Sequence, residues 1–396
     1  MYTVAMSADR ISPLPASQVL RVVIATCSGL ILLLVARRTG ERHSIPPLTA
    51  FVMLFFVCAI WTFSVNVLLA PTAPVVDAFG RIAPLCIVGF LFVAIRTGSV
   101  NWRIAALSLA ISIGLQLALG AVSQVDWAEC TQFKCGPAGR LYVGGFASEN
   151  TLARLAGFGF LLALALRRHA KWLWPSLLAA SVLVLYSSGS RTSQLAVGIA
   201  LIAWWGWHLT RSRSLKRLLS FSAPAAIMGF GLWMVYTAGP SDYSNRGGIW
   251  ARGVAALRID WLLGAGIDNW STHVLARNYM HSQGLLLLYA GGVVAVVSFV
   301  GMATSALLMA SRRNDGYLAA LVVYVLISGL VEVMWNPLTL DASLVTVAVL
   351  LSAFAPREDS ADPQGVTSLQ EEDRGPTGRL SARGQRKVRG GHRPHL

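Results

Sequence analysis

Charged residues are scarce in this chain of 396 residues. Asp, Glu, Lys and Arg together make up only 13% of it, roughly half the share of a soluble globular domain. Hydrophobic residues make up 55%, and they gather in runs of ~17–25 residues that suit helices crossing ~30 Å of hydrocarbon. The alternation typical of membrane-spanning strands is missing. The composition therefore excludes a soluble domain and predicts a helical membrane protein.

Acidic and metal-binding patterns are also few. The chain has 18 Asp and Glu against 33 Lys and Arg. Its loops contain no D-x-D pair, no cluster of His, Cys and carboxylates with metal spacing, and no phosphate-cradling glycine motif. We therefore expect neither a metal nor another cofactor. The net charge of +15 follows from membrane topology, so no nucleic-acid partner is predicted.

The apolar runs define an all-α fold, a polytopic transmembrane helix bundle. About eleven spans are predicted, within a range of roughly ten to twelve. They lie near 20–36, 48–70, 79–95, 103–122, 150–166, 172–188, 192–210, 219–238, 283–310, 317–335 and 341–355.

Lys and Arg predict the orientation of these spans. Twenty-two of the 33 positive residues fall in alternate turns and in the C-terminal tail. That side should be cytoplasmic, which puts the N-terminus outside the membrane and the C-terminus inside. Residues 1–355 are then a transmembrane domain, and 356–396 are a cytoplasmic tail whose polar, charged composition predicts disorder.

Two long connections, about 123–149 and 239–282, are predicted to face outward. The first holds Cys130 and Cys135 in "ECTQFKC", which favours a disulfide in an oxidising compartment; two free thiols are the alternative. The second holds Trp250, Val254, Leu257 and Trp261 on one helical face. That spacing predicts a short interfacial helix, with a loop helix packed on its neighbours as the alternative. Gly264 and Gly266 are expected to end it.

Four basic side chains stand at outward span ends or in outer loops, where they could share one cavity. They are Arg140, Arg191, Arg246 and His281. Arginine forks match phosphate oxygens in pairs, and histidine accepts a proton near neutral pH. The set predicts a pyrophosphate clamp with a general base. Alternatively, the arginines anchor lipid headgroups and the histidine is structural. Glu332 is expected either to pair with one arginine or to bond within the bundle.

The motifs around these residues resemble the O-antigen ligase and O-antigen polymerase superfamily of bacterial membrane glycosyltransferases. "SGSRT", which contains Arg191, is similar to that family's Ser-x-Arg turn. Its Arg-x-x-x-Leu pattern resembles Arg246 to Trp250, with Trp in place of Leu. Two longer patterns resemble Arg140, Phe146, Asn150, Leu152 and Ala153, and His281, Ser282 and Gly292, with Ala295 in the last place.

The resemblance implies a GT-C-like fold and a metal-independent glycosyl transfer. The donor would be a glycan on undecaprenyl pyrophosphate, with its diphosphate bound by Arg191, Arg246, Arg140 and Asn150. His281 would take a proton from the hydroxyl of a glycan, lipid or cell-wall acceptor. Membrane lipids would surround the bundle. A repeat-unit polymerase of the same superfamily is the alternative, and a transporter of an anionic solute is the alternative from another class. A transporter would show inverted repeats and broken helices, and the sequence indicates neither.

Overall fold

The computed structural model describes residues 46–69, 75–122, 127–144, 148–257, 261–270, 280–337 and 344–356. The predicted first span, Cys27 and nearly all of the predicted tail lie outside these residues. Within them are eleven α-helices, one 3-10 turn and one two-stranded hairpin. The helices are α1 (Pro46–Leu69), α2 (Val75–Arg96), α3 (Trp102–Val122), α4 (Glu149–Leu166), α5 (Leu173–Ser187), α6 (Arg191–Leu209), α7 (Arg213–Thr237), α8 (Asp242–Ala256), α9 (Gln283–Arg313), α10 (Gly316–Gly329) and α11 (Leu344–Ser352).

The protein is mostly helical, and several of its helices are membrane-like. By length and composition, four of the described helices could cross a membrane: α1, α4, α7 and α9. Ten of the predicted spans coincide with described helices. The predicted run 317–335 is shorter as a helix, because α10 ends at Gly329. The following segment is instead non-helical and contributes to the candidate site.

Apolar faces hold the bundle together. Helix α9 packs along α1 and α7, α10 packs against α6, and α4 packs against α5. Phe55, Phe299 and Trp335 form an aromatic stack in the main core, with ring centroids 5.4 and 6.0 Å from that of Trp335. Cys58 is buried in this core, whereas Cys86 is exposed. The core thus fixes the start of α9 and the end of α10, which carry the site.

Helix α9 is broken one third of the way along, at Gly291 and Gly292. Gly292 has a φ of +61°, and the Leu262 carbonyl accepts a hydrogen bond of 3.2 Å from the Val293 amide. The Gly291 carbonyl is satisfied by the Trp61 indole at 2.9 Å. A Cβ at Gly292 would collide with the Leu262 carbonyl. The glycines are therefore required because a loop backbone replaces one turn of helix at this point.

Helix α8 is the predicted short helix of the second long connection, but its tryptophans are not at a shared surface. Trp250 is fully buried, and its indole nitrogen donates a 2.8 Å hydrogen bond to the Met280 carbonyl. Trp261 lies beyond the helix and is exposed. The helix ends at Ala256 rather than at Gly264 and Gly266, whose segment packs on the α9 break. For the face that carries Trp250, the structure therefore agrees with the alternative prediction, a loop helix packed on its neighbours.

Candidate functional site

Glu332, a buried carboxylate, lies next to two of the predicted site residues. The Arg246 guanidinium donates from Nη2 to Glu332 Oε1 at 2.7 Å. His281 Nδ1 lies 3.7 Å from the other oxygen, Oε2. Only 7% of the Glu332 side chain is exposed, against 28% for His281. The carboxylate is therefore held inside the protein while one edge of the imidazole remains accessible.

Unusual backbone conformations aim these side chains at each other. The described residues include five non-glycine residues with a positive φ. Three of them, Tyr243, Ser244 and Asn245, directly precede Arg246, and a fourth is His281 itself, with a φ of 50°. Such conformations cost on the order of 1 kcal/mol each and concentrate at functional sites. Regular helical structure in α8 thus starts at Arg246, at the point where its side chain turns toward Glu332.

The segment 330–336, which carries Glu332, is held by side chains from three helices. Arg246 Nη1 donates to the Val331 carbonyl at 2.5 Å, and Arg154 of α4 donates to the Val333 carbonyl. Gln283, the first residue of α9, accepts from the amides of residues 334 and 335 at 2.8 and 2.9 Å and donates to the carbonyl of residue 335. Because Gln283 follows His281 by two residues, these bonds fix the imidazole relative to the carboxylate.

The neighbouring polar groups keep Glu332 ionised. Burial alone would raise the pKa of its carboxyl group, but His281, Arg246 and Arg154 together outweigh burial and leave that pKa below the ordinary value. Glu332 is therefore a carboxylate at neutral pH, which suits it to orient the Nδ1–H tautomer of His281 and leave Nε2 unprotonated. Nδ1 is buried and has no hydrogen-bond partner among the described residues.

A second charged group lies at the start of α4. Lys134, from the hairpin, forms an ion pair with Glu149, and its ammonium lies 3.5 Å from Asn150 Oδ1. Burial, partly offset by the Glu332 carboxylate and reinforced by Arg246, lowers the pKa of Lys134 to about 8. This charge interaction links Lys134 and the buried Asn150 to the Glu332 group.

The hairpin that carries Lys134 consists of β1 (Trp127–Ala128) and β2 (Leu141–Tyr142), which pair antiparallel. Cys130 and Cys135 are joined by a disulfide, with their Cα atoms 4.6 Å apart. Gly136 packs closely on the Ser187 carbonyl, so the hairpin lies on the turn between α5 and α6. Lys134 therefore belongs to a loop that packs on the α5–α6 turn.

Arg140 and Arg191 are placed differently from Arg246. Arg140 belongs to the hairpin and Arg191 begins α6 in the turn beneath it. Both are exposed, and neither makes a hydrogen bond or an ion pair with a described residue. The structure thus brings Arg246 and His281 together at Glu332 and associates Asn150 with them through Lys134. Arg140 and Arg191 have no side-chain partner within the described part of the chain.

An apolar groove runs below the hairpin, between α3 and α5. Its volume is about 580 Å³. Its lining includes Leu117, Trp127, Tyr142, Leu177, Val184 and Ser187. Ser187 also supports the hairpin, so the groove reaches the turn that carries Arg191.

Sequence reasoning did not assign a role to Lys134, Arg154 or Gln283. Lys134 and Arg154 were among the positive residues on the predicted outer side, where the positive-inside tendency acts against them. Their position on the predicted outer side was the available sign of a special role. Gln283 is fully buried at the start of an apolar helix, and a lone amide beside a histidine gave a weaker signal.

The arrangement provides a base and several cations at one end of a helix bundle. His281 can accept a proton at Nε2 while Glu332 stabilises the imidazolium. Among the described residues, Val331 and Glu332 accept hydrogen bonds from two of the five N–H groups of Arg246. Among the described residues, no group of His, Cys, Asp and Glu could hold a metal ion. No family model, curated protein or solved structure matches the chain.

Proposed function

We propose that the protein transfers a glycan from an undecaprenyl-pyrophosphate carrier to an acceptor hydroxyl, with His281 as the general base. The observation that supports this most directly is the His281–Glu332 contact of 3.7 Å beside Arg246, at one end of apolar helices. The distance is longer than a hydrogen bond, and catalytic contacts of this kind often shorten when substrate binds. The predicted place of this chemistry is the outer face of a bacterial cytoplasmic membrane.

The proposed reaction balances without an added reactant. His281 Nε2 removes the proton from the acceptor hydroxyl as its oxygen attacks the anomeric carbon of the donor sugar. The bond between that carbon and the pyrophosphate oxygen breaks, and undecaprenyl pyrophosphate leaves with inversion at the sugar. Arg246 stabilises the charge that develops on the departing diphosphate, assisted by Arg140 and Arg191.

The apolar groove supports the proposal that the donor is linked to a lipid. A chain lying in it would keep its carbons among Leu117, Leu177 and Val184, while the headgroup would emerge beside Ser187 and the turn that carries Arg191. Hydrophobic contacts would hold the lipid, and the basic side chains would bind its diphosphate.

The test is a transfer assay with the full-length protein in lipid nanodiscs. A labelled undecaprenyl-pyrophosphate oligosaccharide and a panel of hydroxyl acceptors would be supplied, and release of the lipid pyrophosphate would be measured. His281→Asn is the informative variant, because Asn tolerates a positive φ but its side-chain amide has no basic nitrogen to accept the proton. We expect it to abolish transfer. His169→Asn, an exposed histidine at the opposite end of α4, is the matched control. Full turnover by His281→Asn would refute the proposed base.

A ligase and a polymerase differ in their products. A ligase would give one transferred species, whereas a repeat-unit polymerase would give a ladder of lengths. The same assay, resolved by electrophoresis, separates these two alternatives.

One observation favours the transporter alternative, namely the break in α9 at Gly291 and Gly292. Transport sites at broken helices carry ionisable or carbonyl ligands at the break. Among the described residues, the side chains nearest to Gly291 are those of Trp61, Thr62 and Ala295, which are uncharged. Uptake of an anionic solute into proteoliposomes, abolished by a bulky residue at Gly291, would support transport over transfer.

A further inference from the structure

Lys134 is held at the site by more than its own side chain. The Cys130–Cys135 disulfide closes the loop around it, and a bridge pairs Thr131 with Lys134. The ammonium reaches the start of α4, where it contacts Glu149 and Asn150. The hairpin thus carries a cation to the start of α4, within electrostatic range of Glu332 and Arg246.

The charges around Lys134 have a positive balance that favours binding of an anion. At neutral pH Arg154, Arg246 and Lys134 supply three positive charges, and Glu149 and Glu332 supply two negative ones. The group therefore keeps one positive charge with His281 neutral. Burial makes the charged form of Lys134 costly, as its pKa of about 8 shows, and a bound anion would remove part of that cost.

We propose that Lys134 is a further ligand of the donor diphosphate, and that the Cys130–Cys135 disulfide holds it in place. Reducing the disulfide would then weaken binding of the lipid pyrophosphate. This inference rests on the proposed function, because it concerns the same donor.

A purely structural Lys134 would act only through Glu149, fastening the hairpin to α4. Two variants separate the roles. Lys134→Gln removes the cation, whereas Glu149→Gln removes its internal partner and leaves the cation available. If Lys134 binds diphosphate, the first variant weakens binding and the second preserves or strengthens it. If the pair is only a fastening, both variants weaken binding to a similar extent.

The experiment measures binding of undecaprenyl pyrophosphate, without a glycan, to the full-length protein in nanodiscs. We expect Lys134→Gln to raise the dissociation constant about tenfold or more, the range of a hydrogen bond to a charged group. Lys134→Arg should recover most of the affinity. Lys171→Gln, an exposed lysine at the opposite end of α4, is the matched control and should bind like the wild type.

The disulfide is tested in the same assay. A Cys130→Ser and Cys135→Ser double variant, or wild type treated with a phosphine reductant, should bind more weakly. The same changes should add little in the Lys134→Gln background, because the disulfide is proposed to act through Lys134. Equal additional losses in both backgrounds would overturn the link between the disulfide and Lys134.

The outcomes distinguish this inference from the proposed function. If the wild type binds undecaprenyl pyrophosphate and Lys134→Gln matches it, the role of Lys134 is refuted while the proposed function survives. If the wild type does not bind the lipid pyrophosphate at all, both fail. If the binding pattern holds but no acceptor receives a glycan, the Lys134 ligand stands and the proposed transfer is refuted.

Discussion

Replacing Glu332 by Gln tests whether the carboxylate acts in catalysis or only in folding. Gln has nearly the same shape, and its amide oxygen can still accept the Arg246 hydrogen bond that Glu332 accepts at 2.7 Å. The variant loses the negative charge that faces His281 Nδ1. The imidazolium formed during proton transfer would then lack its counterion. We therefore expect a large fall in kcat and only a small change in the thermal midpoint.

The distance allows a rough magnitude. Two unit charges 3.7 Å apart interact by about 4.5 kcal/mol at an effective dielectric constant of roughly 20. A proton half transferred in the transition state would realise about half of this. At about 1.36 kcal/mol per factor of ten, the expected loss in kcat lies between about 40-fold and 2,000-fold.

The assay is single-turnover release of undecaprenyl pyrophosphate from a labelled donor at saturating lipid. Glu129→Gln is the control, since Glu129 is an exposed acid of the hairpin. Folding is checked by the thermal midpoint in detergent. A folded Glu332→Gln protein with kcat within threefold of the wild type would refute the catalytic dyad and leave Glu332 with a structural role alone.

The remaining predictions concern stability. Gly292→Ala should lower the thermal midpoint by several degrees because its Cβ meets the Leu262 carbonyl, whereas Gly198→Ala, in open space on α6, should leave it unchanged or raise it slightly. Gln283→Leu leaves two buried amides without acceptors and should cost about 2–4 kcal/mol of unfolding free energy in a denaturant titration. Glu332 has a lowered pKa, so its stabilisation is complete above pH 4.5 and is lost as the pH falls through the folded value. The thermal midpoint of the wild type should therefore drop more steeply below pH 4.5 than that of Glu332→Gln; parallel curves would contradict this.

Apolar runs were sufficient to predict helices, because a segment such as α1 or α9 has one dominant way to satisfy its backbone in lipid. They were not sufficient to predict the break in α9. Glycine pairs are common in membrane helices, and the backbone of residues 262–265 that docks there comes from a distant part of the sequence. The sequence indicated neither this break nor the non-helical course of 330–336.

Some residues of the candidate site could also be predicted from the sequence. His281 and Arg246 stood out because polar residues at span ends are costly. Pairing depends on tertiary placement, so the sequence left two alternatives for Glu332, and the structure pairs it with Arg246. The same limit applied to Arg154 and Gln283, whose partners are backbone groups of the segment 330–336. Backbone partners leave no signal in residue identity.

Both members of the dyad belong to one helical hairpin, formed by the consecutive helices α9 and α10. Gln283 cross-links the two ends of this hairpin, while Arg246 of α8 and Arg154 of α4 hold the segment that carries Glu332 from outside it. The surrounding cations come from other parts of the chain, on α4, α8 and the disulfide hairpin. Arg246 serves both the carboxylate and the proposed anion, whereas Lys134 is bonded to the start of α4. Substitutions at Lys134 can therefore retune the bound anion and leave the proton-transfer geometry intact.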